Sequence, residues 1–477
     1  MATSFSVMTI LPRWTVPPEL PLEPGSRDPL GFQRYAARFA DNILPNITVL
    51  TTRARYYAFL AWTLDEIALA IEPRFLVGDA LPFEEYTETV ARFERFLALA
   101  EATWHSNQED GCSWVGKRRS KALIRGGRRS LPLHVSLTVR EGVQGTLANY
   151  RLSMKAIGLL SEIQGPLPDL LTDEGRELAD KFRRAVRKAK AKRASSLCLD
   201  LNQLSVRMSV LEDIGKWMCL SAISDAEYAL LGPKLLGGEH EVLVNELRNI
   251  FEHKLASTDE SEILKSYLRS EAQQGIAFEL KQIAVYQTFA LACLGLFKGL
   301  RAAFEEIGQE RRLDEILAAQ LEYEGIQPSS TLGTLTRQVE GLEEIVSLHN
   351  QPGDWLKESA EWIRPSLRLL AWLARRVEAE PALVFSETVD SVSLRDVVDL
   401  MRLTDRQVDK VLEMLCERLA SDHQRVFISK HKRPWFSLSG SYLRLEDAVD
   451  LPLYFPPNSV RLNSLISIFR DLEMRHG

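Results

Sequence analysis

The chain has 477 residues, more than one hydrophobic core ordinarily supports, so two or three domains are expected. With 45% hydrophobic residues, 26% charged residues and a formal net charge of -6, the composition is globular and excludes disordered and collagen-like classes. The five cysteines (Cys112, Cys198, Cys219, Cys293, Cys416) include no CxxC pair, which excludes a disulfide framework and a thiol-rich zinc motif; a reducing, cytoplasmic setting is expected.

The opening stretch "MATSFSVMTILPRWTVPPELPLEPGSRDP" lacks the basic start and continuous apolar core of a signal peptide and reads as a Pro-rich arm on the first domain. "TTRARYYAFLAWTLDEIALAIEP" then sets Tyr56, Phe59, Leu60, Thr63, Leu64 and Ile67 on one helical stripe, with Thr51 or Thr52 as cap and Pro73 as stop. "FEEYTETVARFERFLALAEATWH" repeats the spacing with Tyr86, Val90, Phe93, Leu97 and Ala100. A helical domain is expected over residues 1–115.

The pattern breaks at "GKRRSKALIRGGRRSLPLH". Lys117, Arg118, Arg119, Lys121, Arg125, Arg128 and Arg129 stand there without an acid among them, on a segment that Gly116, Gly126 and Gly127 free for close approach to a backbone. Such a run suits phosphates, whose counterions are released on binding. Trp114 beside it suits a core or lid position better than a base-stacking one. A second run, "KFRRAVRKAKAKRASS", carries Arg183, Arg184, Arg187 and Lys188, and has helix-forming composition throughout. Phe182, Ala185 and Val186 are its only anchors. Residues 111–200 hold 19 Lys/Arg against 8 Asp/Glu, a net of +11, so the remaining chain carries -17. Between the runs, "GTLANYRLSMKAIGLL" and "TDEGRELADKF" read as a helix, a short Gly/Pro ribbon and a capped helix. That order suits either a winged-helix-like module or a plain helical hairpin within residues 116–200.

A helical domain follows over residues 201–325. Its apolar run "IAVYQTFALACLGLF" falls short of the ~20 residues a bilayer requires and is expected to be a buried helix, so no membrane is implied. "LEYEGIQPSSTLGT" reads as a linker to a C-terminal region over residues 335–477. There "SLRDVVDLMRLTDRQVDKVLEMLCERLA" reads as helix, turn and helix, with Thr404 and Gln407 as a capping box. "RVFISKHKRPWFSLSG" reads as two strands around a basic turn carrying Lys430, Lys432 and Arg433. This is the order of a winged helix over about residues 391–440. Asp405, Asp409, Glu413 and Glu417 make its second helix a poor partner for the major groove, so a protein-docking role suits it. The fold class is therefore mainly α, a multidomain helical protein with one or two winged-helix-like modules.

No phosphate-binding, dinucleotide, metallohydrolase or nucleophile-elbow motif is present, and neither a cofactor nor a metal is expected. Arg248, Asn249 and His253 in "LRNIFEHK" fit the short R-[N/D]-x3-H pattern of HEPN ribonucleases, where Arg and His act on a phosphodiester. Glu246 and Glu252 oppose that use.

"DNILPNITVLTTRARYYAFLAWTL" and the later "GTLANYRLSMKAIGLL" resemble motifs of bacterial helical proteins encoded in phage-defence or mobile loci, over at most the first 190 residues. The resemblance implies an accessory subunit beside an ATPase or nuclease, and it transfers no catalytic residue. The expected function is a non-enzymatic subunit of a bacterial multi-protein complex, with anti-phage defence as the setting the resemblance implies, that holds a phosphate backbone without sequence specificity. DNA is favoured over RNA as ligand. The alternatives are a scaffold whose basic runs dock acidic proteins and a HEPN-type RNase.

Overall fold

The computed structural model describes residues 30, 40–44, 46–48, 51–75, 82–106, 114–138, 145–161, 167–251, 255, 258, 260–307, 310–336, 361–384, 394–403, 405–429, 434, 436–445 and 461–473. They are mainly helical, as the periodicity predicts, and fall into two compact units. One comprises Ala36–Ile283 with Ser459–Gly477, the other Met1–Tyr35 with Ala284–Asn458.

The first unit contains helices α1 (Arg55–Phe75), α2 (Phe83–Trp104) and α3 (Lys117–Arg125), strand β1 (Ser130–Pro132), then α4 (Thr146–Ala156), α5 (Asp173–Ala185) and α6 (Lys188–Leu199). Strand β2 (Ser205–Arg207), α7 (Met208–Met218), α8 (Asp225–Leu236), α9 (Glu241–Phe251) and α10 (Glu260–Leu268) follow, and the helix Leu462–Glu473 also belongs here. The expected stripe on α1 understates its burial: Tyr56, Tyr57, Phe59, Leu60, Trp62 and Leu64 are all buried, as in a helix surrounded by others. Trp62 meets Phe93 of α2 edge-on at 5.2 Å and Phe182 of α5 at 5.4 Å, while Tyr57 meets Tyr150 of α4 at 4.9 Å. Each such pair adds about 0.5–1.5 kcal/mol beyond its area burial. The helix continues two residues beyond Pro73. The missing N–H leaves the Leu69 carbonyl without its helical partner, a cost that solvent reduces because Leu69 is exposed.

Close packing is set by glycine at two points. A Cβ on Gly215 would lie 2.8 Å from the Ala100 carbonyl oxygen, so only glycine lets α7 lie against α2 at this distance. A Cβ on Gly175 would lie 2.3 Å from the Leu159 carbonyl oxygen, where α5 meets the bridge between Leu160 and Leu171. Thr172 caps α5 by accepting from the Gly175 N–H. Helix, ribbon and capped helix thus appear in the expected order.

The second basic run is two helices rather than one. The chain turns at Arg187, whose φ of 68° is left-handed, because Val186 is drawn into the core behind Phe182. Arg92 of α2, buried itself, closes the far end of α6 by donating to the carbonyls of Leu197, Cys198, Asp200 and Gln203. Its charge sits where the helix dipole favours a cation.

The other unit contains most of α11 (Gly275–Ile307), then β3 (Glu310–Arg312), α12 (Leu313–Tyr323), α13 (Leu332–Thr336), α14 (Ile363–Ala379), α15 (Leu394–Met401), α16 (Val408–Ser429), β4 (Phe436–Ser439) and β5 (Tyr442–Leu445). Over Gly275–Leu300 α11 is long and apolar enough to cross a membrane, but 94% of that window is buried in protein, as expected of a core helix. His423 of α16 packs between Phe297 (4.7 Å) and Phe427 (4.2 Å). The strands form an antiparallel sheet in the order β3-β5-β4.

Two expectations are corrected here. "RVFIS" is helix, because Val426 and Phe427 extend the buried stripe of α16, and the hairpin lies further on, around Gly440 with φ 61°. Thr404 of the expected capping box, and Lys430, Lys432 and Arg433, lie outside the described residues. The segment read as a linker is a turn inside this unit. Leu332 N–H bonds the Arg406 carbonyl and Val408 N–H bonds the Ser330 carbonyl, so α13 to α15 leave and rejoin the chain at one place. Glu324 in that turn caps α14 from a distance, accepting from the N–H groups of Trp362, Ile363 and Arg364 at 2.8, 2.8 and 2.9 Å.

Candidate nucleic-acid interface

Helix α3 carries the first basic run. Gly116 precedes it at φ 81°, in a conformation that disfavours a side chain, and no side chain caps its N-terminus. Lys117, Arg118 and Arg119 fill the first turn with no acid among them. Cations there face the positive end of the helix dipole, each at a cost of about 0.3–1 kcal/mol. The helix is held by its buried side: Tyr56 accepts from the Val115 N–H, and Trp114 donates to Ser120.

The cations divide by role. Lys117 and Lys121 lie over the Trp114 ring at 5.0 and 5.6 Å, and Arg119 donates to the Ser136 and Thr138 carbonyls. Arg118, Arg125, Arg128 and Arg129 are exposed, and their side chains have no hydrogen-bond or ion-pair partner among the described residues. Arg118 and Arg125 stand two turns apart on one face of α3. Strand β1 continues from Arg129 and pairs with β2, with Ser130 opposite Arg207. Arg207 is likewise exposed and free among the described residues, at the same end of the ladder as Arg129. The sequence reading missed it, because only the β1–β2 pairing brings residue 207 beside 129.

The second run contributes less. Arg183 is held by Asp65 (2.6 Å), Glu66 (2.9 Å) and Asp180 (2.5 Å); burial opposes its charge, but bonds to Asp65 and Glu66 outweigh that and raise its pKa. Arg184 pairs with Asp180, and the Arg187 guanidinium stacks 3.7 Å above the Trp217 ring. Lys188 is exposed. Arg53 and Arg55 are buried, paired with Asp471 and Glu227, and take no part in the face.

Arg248 lies on α9, paired with Glu473 at 3.1 Å and stacked on Phe469; Asn249 is exposed, and His253 lies outside the described residues. The Arg248 charge is therefore already engaged by a carboxylate.

Beneath α3 lies a cluster the sequence reading did not find. Glu101 and His105 stand one turn apart at the end of α2, and Cys219 follows α7. His105 Nε2 is 3.2 Å from Glu101 Oε2 and 3.3 Å from Cys219 Sγ, and that sulfur is 3.8 Å from Glu101 Oε2. All three residues are buried. The His105 ring stacks on the face of Trp114 at 5.8 Å. Burial opposes the charged imidazole, yet Cys219 and Glu101 together hold its pKa well above the ordinary value. A nucleophilic triad needs thiol and carboxylate on opposite ring nitrogens; here both meet Nε2, so the cluster is not one.

No protein-family model matches the chain, and no curated protein or solved structure matches it.

Proposed function

We propose that this chain is a non-enzymatic subunit that holds the phosphate backbone of duplex nucleic acid, DNA in preference to RNA, through α3 and the adjoining end of the β1–β2 ladder. The observation that carries this reading is the set Arg118, Arg125, Arg128, Arg129 and Arg207: exposed, without protein counter-charges among the described residues, in a chain of net charge -6. Placing three cations in the first turn of α3 costs stability, and an anion bound there recovers it. Contact through guanidinium and phosphate alone confers no sequence specificity.

The second unit supports a docking role within a larger bacterial assembly, as the resemblance of the N-terminal motifs implies. Helix α11, strand β3, helix α12, helix α16 and the β4–β5 hairpin, with strand order β3-β5-β4, follow the order of a winged helix whose middle turn carries α13 to α15 as an insertion. Met414 and Ile428 are exposed on α16, and its Lys410 and Arg418 are paired with Glu413, Asp396 and Asp422. Exposed apolar groups among neutralised charges suit a protein partner better than DNA.

The test is binding of the purified full-length chain to unrelated duplexes, with an Arg118/Arg125/Arg128/Arg129→Glu variant alongside. Loss of salt-sensitive binding in a folded variant supports the reading. Equal binding by both refutes the proposed face, and no binding by either turns the basic face into a dock for an acidic protein.

A further inference from the structure

We propose that Glu101, His105 and Cys219 form a binding site for a single zinc-class divalent cation, buried beneath the basic helix. Around a tetrahedral zinc, bonds of about 2.0–2.3 Å set donor separations of about 3.3 Å for N···O and about 3.5 Å for pairs with sulfur. The observed separations are 3.2, 3.3 and 3.8 Å. Three donors from two separate segments thus converge to the edges of one tetrahedral face. An Nε2, a thiolate and a carboxylate are the donor types zinc accepts, and together they neutralise its charge, which a buried site requires.

The surroundings hold each donor in place. The Leu220 N–H donates to Glu101 Oε1 at 2.5 Å, leaving Oε2 for the ion. The Trp114 face fixes the His105 ring, and Arg55 donates to the Cys219 carbonyl at 2.5 Å. Gly215 lets α7 lie close enough to α2 for Cys219 to reach the pair at all. Outer contacts of this kind orient metal ligands. Binding requires that the Cys219 thiol lose its proton to solvent and that His105 be neutral; no electron is transferred. Exposures of 1%, 3% and 2% for Glu101, His105 and Cys219 keep bulk solvent from the ion, whose fourth tetrahedral position would be filled by a single water. The ion would tie the end of α2 to the chain after α7, directly below Trp114 and the lysines of α3. The assignment does not depend on what α3 binds.

The experiment is titration of the full-length, chelator-treated chain with Co²⁺ and, separately, with Zn²⁺ followed by dialysis and elemental analysis. We expect one ion per chain, with a sulfur-to-cobalt charge-transfer band and the visible bands of tetrahedral cobalt. Cys219→Ser should abolish the charge-transfer band and Cys198→Ser should leave it intact, because Cys198 is buried elsewhere. A folded wild-type chain that shows no band and retains no zinc overturns the proposal, independently of how any variant folds. A band that survives Cys219→Ser also overturns it.

Discussion

Replacing Arg92 by Ala removes a side chain that closes α6, and its cost follows from the contacts. Arg92 is 1% exposed, and its guanidinium donates to four carbonyls at 2.9, 3.1, 2.7 and 2.7 Å. A hydrogen bond to a charged group contributes about 1.5–3 kcal/mol, but four bonds from one cation share a single charge and repay its desolvation. The expected net loss is therefore about 3–5 kcal/mol, equivalent to roughly 10 °C in melting temperature for a unit of this size. Arg92→Lys keeps the charge without the fork and should fall between. The Asp200 and Gln203 carbonyls lie on the approach to β2, so nucleic-acid binding should also weaken although no exposed cation is removed. Calorimetry of the full-length chain reads the first effect. A loss below about 1 kcal/mol would show that water satisfies those carbonyls and refute the reasoning.

Gly299→Ala should destabilise its unit by more than the usual ~1–3 kcal/mol of overpacking, because the new Cβ would lie 1.8 Å from the Trp362 ring; urea unfolding of that unit checks it. Glu324→Ala should cost about 2 kcal/mol by uncapping α14, visible as faster hydrogen exchange at Trp362, Ile363 and Arg364, whereas Glu322→Ala, two residues away but exposed, should change nothing. Burial raises the pKa of Tyr56, Tyr57 and Tyr150, that of Tyr57 to about 12. The folded chain then keeps protons that the unfolded chain loses above its ordinary tyrosine pKa of 10.0. Stability is thus complete below that pH and falls by about 1.4 kcal/mol per pH unit per tyrosine above it, up to about 12 for Tyr57. Absorbance of tyrosinate should lag in the native chain and rise with unfolding; coincidence with free tyrosine would contradict this. Arg183→Ala should destabilise α5 against α1 yet leave the salt dependence of nucleic-acid binding unchanged, since Asp65, Glu66 and Asp180 already occupy it.

The helical character was legible because apolar residues recur at 3.6-residue spacing along most of the chain, and Thr172 signalled the start of α5 directly. The limits appear where tertiary contacts decide. "RAVRKAKAKR" has no breaker, so only the burial of Val186 shows why the helix stops at Arg187. "RVFIS" has the β-branched and aromatic residues of a strand, yet it continues the stripe of α16. Of the basic run, sequence could give the charge but not its accounting. Arg183 is consumed by acids 117 and 118 residues away, and Arg207 is recruited by a strand pairing across 77 residues. Glu101 and His105 were visible as an i, i+4 pair, a spacing shared by ordinary helix-surface pairs. Cys219 comes to them only through the contact at Gly215.

The central claim is tested most directly by measuring affinity for one duplex over a salt series. With Arg118, Arg125, Arg128, Arg129 and Arg207 each meeting a phosphate, the logarithmic slope should be about -4.5, an affinity loss of about 500-fold between about 50 and 200 mM salt. Arg128→Glu with Arg129→Glu should bring the slope to about -2.7 or shallower. A slope near zero, or one that those substitutions leave unchanged, would contradict the account.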